Sequence, residues 1–252
     1  MYKIFANTLF IGQRLVSVPE CHSTNSLASE LASQSIPLEG TVVITSNQTA
    51  GRGQRGNTWE TEAGMNLTFS ILLKPSFLPV KNQFYLTIIT SLAIADFLIT
   101  KSIGEIKIKW PNDVLVRQNK ICGILIENSI QGGSIQQSII GIGLNINQKK
   151  FITPSATSVA ALTNQNFNLN DALNSLLEKF EQRYLQLRGG KHGRLKKEYL
   201  ENLFGLGERR LFTSGDRKFD GVIEGLSENG ELIVRHDNRS ELFSLKEISF
   251  VF

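Results

Sequence analysis

The sequence predicts an α+β fold: a helix-flanked mixed sheet over residues 1–204, followed by a small all-β barrel over 205–252. Three observations predict it. Apolar residues fall into blocks of strand length at 41–46, 66–73, 106–110, 113–117, 120–128 and 135–144. Helical periodicity is confined to 26–34, 83–100, 171–187 and 191–203, so helices punctuate the strands without alternating with them one for one. After Gly205, turn residues recur every few positions between short alternating runs, the pattern of about five strands in a small barrel or sandwich.

Each element has a local reason. Ser23, Thr24 and Asn25 precede the helical segment SLASELASQ, and any of the three is a suitable cap. Pro37 and Gly40 end that region, and TVVITS reads as a buried strand. A glycine-rich loop follows, then a second strand at 66–73 with alternating apolar positions. The segment 83–100 is apolar on nearly every face. Ser91, Asp96 and three threonines interrupt its apolar run, so it reads as a helix packed inside the domain and not as a membrane span. The turns RQNK and GGS separate the later strands, and Gly189-Gly190 ends the amphipathic helix at 171–187.

Composition narrows the function classes. A chain of 252 residues with 41% hydrophobic and 20% charged residues has the apolar content for a sizeable core and lacks the bias of a disordered or repetitive chain. Two cysteines, Cys21 and Cys122, are too few for a disulfide framework, and the first fifteen residues lack a secretion signal. A cytoplasmic location is expected, with no membrane partner. The net charge of +4 is local: residues 188–210 hold seven basic and three acidic side chains. No basic stripe or reading helix accompanies them, so DNA is not an expected partner. The three histidines show no metal-ligand spacing, so no structural metal site is expected.

Three motifs carry chemistry. Gly51-Arg52-Gly53-Gln54-Arg55-Gly56 matches the G-x-G-x-x-G string of dinucleotide-binding folds. That fold turns directly into a helix and places an acid about 20 residues on. Here the loop runs through Trp59 and Gly64 into a strand, and 71–76 contains no acid. No Gly-Lys-Ser/Thr closes a phosphate loop either. What remains is either a solvated surface turn or a flexible loop whose backbone N–H groups and two guanidiniums suit phosphate or carboxylate oxygens. Next, Pro111 withholds an N–H within Lys109-Trp110-Pro111-Asn112-Asp113, so a strand is broken where Lys, Asn and Asp are presented. Lys120 follows, entering an apolar strand where a lysine either reaches water or meets an anion. Cys122 beside it lacks a partner base and reads as a small buried apolar residue. Third, GIGLNIN at 141–147 ends a strand with glycines that admit a close neighbour.

In this order, these pieces resemble the catalytic unit of biotin–protein ligases. The matching segments are Ser23-Thr24-Asn25, SNQTAGRGQRGNTWET, KWPNDVLVRQNKICGILIE and GIGLNIN, together spanning residues 20–147. The resemblance implies a class II aminoacyl-tRNA-synthetase-like catalytic domain at 1–204 and a Src-homology-3-like barrel at 205–252. It implies a two-step reaction with biotin and ATP as substrates and Mg²⁺ assisting: biotinyl-AMP forms first, and a lysine of the biotin carboxyl carrier protein of acetyl-CoA carboxylase then takes the biotinyl group. By position, Ser23, Thr24, Asn25 and Gln48 correspond to groups that hold the ureido ring. Arg52, Gly53 and Gln54 correspond to the loop over the intermediate. Lys120 corresponds to the lysine at the biotin carboxylate or anhydride, and Asp113 to a group that steers or deprotonates the acceptor amine. Arg55, Trp59 and Asn145 correspond to the nucleotide side.

Some relatives carry arginine where Gln54 stands, so one positive charge over the intermediate is absent here. Regulatory members carry an N-terminal helix-turn-helix; this chain begins almost directly with the catalytic segment, so no repressor role is implied. A lipoate–protein ligase, a non-catalytic biotin sensor and a nucleotide-binding oxidoreductase are the competing readings. An exposed sheet edge offers a surface for a weak homodimer.

Overall fold

The computed structural model describes residues 2–3, 7–34 and 38–251. Its elements run β1 (Leu15–Cys21), α1 (Thr24–Gln34), β2 (Thr41–Gln48), β3 (Leu67–Leu73), α2 (Phe84–Thr100), β4 (Ile106–Lys109), β5 (Asp113–Val116), β6 (Asn119–Gln131) and β7 (Ser134–Leu144). Three helices follow: α3 (Val159–Thr163), α4 (Leu169–Arg188) and α5 (His192–Glu201). The chain ends in β8 (Arg209–Ser214), β9 (Arg217–Leu226), β10 (Leu232–His236), β11 (Arg239–Phe243) and β12 (Ser249–Phe250). Pro37, read as a helix terminator, lies outside the described residues.

A seven-stranded sheet in the order β1-β2-β3-β7-β6-β5-β4 forms the first layer, and a five-stranded sheet β11-β10-β9-β8-β12 forms the C-terminal unit. The large sheet is mixed because β1 pairs with β2 in parallel while the other neighbours are antiparallel. β1 was not evident in the sequence: Pro19 interrupts its short alternation, which an edge strand tolerates. The one-turn α3 was missed too. Its only local signals are Ser158, whose Oγ accepts from the Ala161 N–H at 3.1 Å, and Asn164 in the left-handed region.

β3 departs from the half-buried alternation expected of it, because all seven residues are buried. Leu67, Phe69, Ile71 and Leu73 join the main core. On the opposite face Thr68 lines a cavity and Ser70 hydrogen-bonds to the start of α1. The helical stretch Val80–Thr100, which contains α2, is long and apolar enough to cross a membrane by length and composition, yet most of α2 is buried against α4, α5 and the sheet. Its one acid, Asp96, accepts from Arg183 of α4 at 2.7 and 2.9 Å. The buried carboxylate of Glu181 ties the N-terminal segment to α4 by accepting from the backbone N–H groups of Leu9, Phe10 and Ile11 at 2.6–2.9 Å.

The C-terminal sheet docks on the KWPND break. The Trp110–Pro111 peptide is cis. Trp110, nearly fully buried, donates its Nε1–H to the Gly230 carbonyl at 3.0 Å. Gly230 has φ +85°, and a Cβ there would stand 2.2 Å from the Phe84 ring. Only glycine lets the β9–β10 turn approach α2 so closely.

Candidate active site

The start of α1 and the end of β2 are stitched together by polar side chains. The Thr24 N–H and hydroxyl donate to Gln48 Oε1 at 2.8 and 3.3 Å. Ser70 on β3 donates to Asn25 Oδ1 at 2.6 Å and stands 2.8 Å from Thr24 Oγ1. Asn25 in turn donates from Nδ2 to the Leu125 carbonyl at 3.2 Å and to Glu127 Oε2 at 2.7 Å. Ser23, Thr24 and Asn25 are all buried, and the polar groups of Thr24 and Asn25 are held in fixed directions by these partners and not by solvent.

Glycines make the floor. Gly123 of β6 faces Gly143 of β7 in the ladder, with Leu125 opposite Gly141 one step along the same face. A Cβ on Gly143 would lie 2.3 Å from the Trp59 indole, and one on Gly141 would lie 2.4 Å from Asn25 Oδ1. The glycines of GIGLNIN are therefore explained by close approach. The glycine-rich loop folds back over this floor. Arg52 bridges Thr58, the Gly53 N–H donates to the Asn57 carbonyl at 2.7 Å, and the Trp59 N–H donates to the Gly51 carbonyl at 3.0 Å. Its only helical turn is the 3₁₀ segment Gln54–Gly56, so the dinucleotide-binding reading of the string fails on geometry. Arg52 reaches across the face to Glu127 Oε2 at 3.0 Å.

On the other side, Lys120 Nζ forms an ion pair with Asp113 Oδ1 at 2.7 Å and lies 5.5 Å from the Trp59 ring centre. The backbone of Lys120 is clamped by Ser155 and Thr157 through bonds of 2.7 and 2.9 Å. Lys109 stands nearby, its ammonium 5.5 Å from the Phe250 ring centre. Burial pulls its pKa down and the Lys120 charge pushes the same way, while Asp113 opposes them. Cys122 is fully buried, and burial holds its thiol protonated far above the usual range, as expected of an inert core residue.

These groups enclose one cavity of about 250 Å³. Ser23, Thr24, Asn25, Gln48, Arg52, Gly53, Gln54, Trp59, Asp113 and Lys120 all line it. Asn145 is not among the lining residues. It is buried, donates from Nδ2 to the Thr157 carbonyl at 3.0 Å, and keeps Oδ1 without a partner among the described residues. The Arg55 side chain lies outside what the structure describes. Among the lining residues Arg52, Lys109 and Lys120 outnumber the one acid, Asp113; even with Glu127 behind the lining pairing Arg52, the balance is positive and suits an anionic ligand. Ile248, with Ser249 and Phe250 of β12, completes its wall. A second cavity of about 370 Å³ along the seam shares Gln54, Asn112 and Ile124 with the first, and none of its lining residues is basic.

Residues 18–145 match the Biotin/lipoate A/B protein ligase family. The chain belongs to this family. The biotin–[acetyl-CoA-carboxylase] ligase of Paracoccus denitrificans is 30% identical over 237 residues, covering 90% of this chain and 97% of that one. The bifunctional ligase/repressor BirA of Bacillus subtilis is 29% identical over 232 residues, covering 90% and 71%. Among solved structures, the biotin protein ligase from Aquifex aeolicus in complex with biotin and ATP superposes with a TM-score of 0.79 at 25% identity, covering 94% and 98%. The family fold accounts for both sheets, the mixed one with its helices and the C-terminal five-stranded one.

Ser70, Glu127, Lys109 and the wall at 248–250 are parts of the site that the sequence motifs do not mark as functional. Ser70 and Glu127 lie in strands read only for their apolar residues, although strand alternation from Gly123 and Leu125 puts Glu127 on the same face. Lys109 was noticed within its motif but given no role. The C-terminal wall at 248–250 had no local signal.

Proposed function

We propose that the chain is an ATP-dependent biotin–protein ligase acting on the biotin carboxyl carrier protein of acetyl-CoA carboxylase. The observation that carries the reading is one cavity whose lining joins neutral polar groups at Ser23, Thr24, Asn25 and Gln48 to cations at Arg52, Lys109 and Lys120. A bicyclic urea with a carboxylate tail matches that division: neutral polar groups at one end and an anion at the other.

In the first step a biotin carboxylate oxygen attacks the α-phosphorus of ATP. The new C(O)–O–P bond forms as the bond to pyrophosphate breaks, which leaves biotinyl-AMP. Both partners are anionic, so the work of the site is to offset their repulsion and to hold them in line. Lys120 sits at the reacting oxygens, Arg52 closes over them from the loop, and Lys109 adds charge from the wall. Trp59, Arg55 and Asn145 belong to the nucleotide side. Asp113 is the hard oxygen donor in the lining, and its Oδ2, the oxygen not held by Lys120, is the atom that would hold Mg²⁺ together with substrate phosphates. Bound there, Mg²⁺ supplies charge neutralisation on the phosphates.

In the second step the acceptor lysine amine attacks the acyl carbon, the amide forms and AMP leaves. The cation-free second cavity meets the first at Gln54 and Asn112, and it gives a lysine side chain a route that avoids the three fixed cations. Asp113 steers the incoming ammonium, which gives up one proton to become the attacking amine and a second as the amide forms, both passing to solvent. The test is transfer of labelled biotin to a carrier domain in the presence of Mg-ATP, with lipoate as competitor. Labelling of one carrier lysine by biotin is expected. Labelling by lipoate in its place assigns the chain to the family's other substrate.

A further inference from the structure

Arg52 and Asn25 come from different parts of the chain, and both line the ligand cavity. They share one anchor. Glu127 Oε2 accepts from Arg52 Nη2 at 3.0 Å and from Asn25 Nδ2 at 2.7 Å. Glu127 itself is not among the cavity-lining residues, so it holds both groups from behind. The Arg52 and Glu127 side chains are 45% and 40% exposed, and a pair that open lends the fold little stability. Its geometric effect is larger. Trp59 rests on Gly143 at one end of the loop and Arg52 is tied to Glu127 at the other, so the loop is pinned across the cavity at two points.

We infer that Glu127 is a positioning residue that latches the glycine-rich loop through Arg52 and sets the Asn25 amide through the same carboxylate oxygen. This rests on the function proposed above for the direction of its effect on catalysis, but not for the latch itself. Glu127 touches no reacting atom. It aligns Arg52 for the anionic intermediate and leaves Asn25 with its carbonyl oxygen toward Ser70.

The test is a double-mutant cycle on the full chain between Glu127→Gln and Arg52→Ala, with two readouts. Glu127→Gln keeps an acceptor for Asn25 and removes the ion pair, while Glu127→Ala removes both. In the ligand-free protein, amide hydrogen exchange over residues 49–60 rises on Glu127→Gln and shows no further rise when that change is added to Arg52→Ala. In the enzyme supplied with biotin and Mg-ATP, release of free biotinyl-AMP rises by about two- to fivefold on Glu127→Gln, the size set by an exposed ion pair. It does not rise further in the Arg52→Ala background. Glu127→Ala adds a higher biotin KM through Asn25. Equal effects of Glu127→Gln with and without Arg52, or unchanged loop exchange, would overturn the inference. If wild-type protein makes no adenylate, the functional reading fails, and the ligand-free exchange cycle still decides the latch.

Discussion

Lys120 is the residue whose charge the proposed chemistry uses most directly, since it pairs with Asp113, the acid in the lining, while also facing the Trp59 ring. Replacing it with alanine is expected to cut single-turnover adenylate formation by about a hundredfold or more, the scale of losing one transition-state cation or donor. The circular dichroism spectrum should stay unchanged. A second residue-scale prediction concerns the floor. Gly143→Ala places a methyl 2.3 Å from the indole of Trp59, so the loop must lift. Biotin KM and adenylate leakage should both rise while the melting temperature changes little. A third follows from Lys109. Its lowered pKa means that it loses its proton at a lower pH than an ordinary lysine near 10.5. The alkaline limb of adenylate formation should therefore move upward in Lys109→Arg, whose guanidinium stays charged. Most of this site was legible in sequence because its residues sit in four short contiguous segments. The roles of Ser70 and Glu127 were not: each acts through a partner more than forty residues away, Ser70 lies outside the motifs, and Glu127 closes the KWPND segment with nothing local to mark its function.

At the scale of elements, the predicted strands and the four longer helices correspond to strong periodicity, and the misses are instructive. β1 has its partner on one side only and carries Pro19, so alternation alone did not mark it. α3 is too short for a periodic signal. The docking of the C-terminal sheet was illegible for another reason. It depends on the Trp110 indole meeting the carbonyl of Gly230, 120 residues away. Gly230→Ala meets both a left-handed φ and the Phe84 ring. It should cost roughly 2–4 kcal/mol, read by denaturant titration, with loss of the wall that Ile248, Ser249 and Phe250 give the cavity.

For the whole molecule, two buried phenols contribute to the loss of stability in alkali. Burial raises the pKa of Tyr199 well above its ordinary value near 10, and burial with the Glu39 hydrogen bond does the same for Tyr184. The folded chain keeps protons that the unfolded chain releases, so this stability is complete below about pH 10 and is lost as pH rises beyond it. The Tyr199 hydroxyl is buried with no partner among the described residues. Tyr199→Phe should therefore leave stability at pH 7 equal or about 1 kcal/mol higher and flatten its fall above pH 10, as followed by urea unfolding. At this scale the central claim is that the loop guanidinium and the strand ammonium share one cage around an acyl-phosphate anhydride. The most direct measurement is the amount of biotinyl-AMP held per protein molecule after mixing with biotin and Mg-ATP in the absence of carrier. Close to one equivalent should be retained by the wild-type chain, with adenylate free in solution for Arg52→Ala and little formed at all by Lys120→Ala. Normal adenylate formation and retention in both variants would contradict the account.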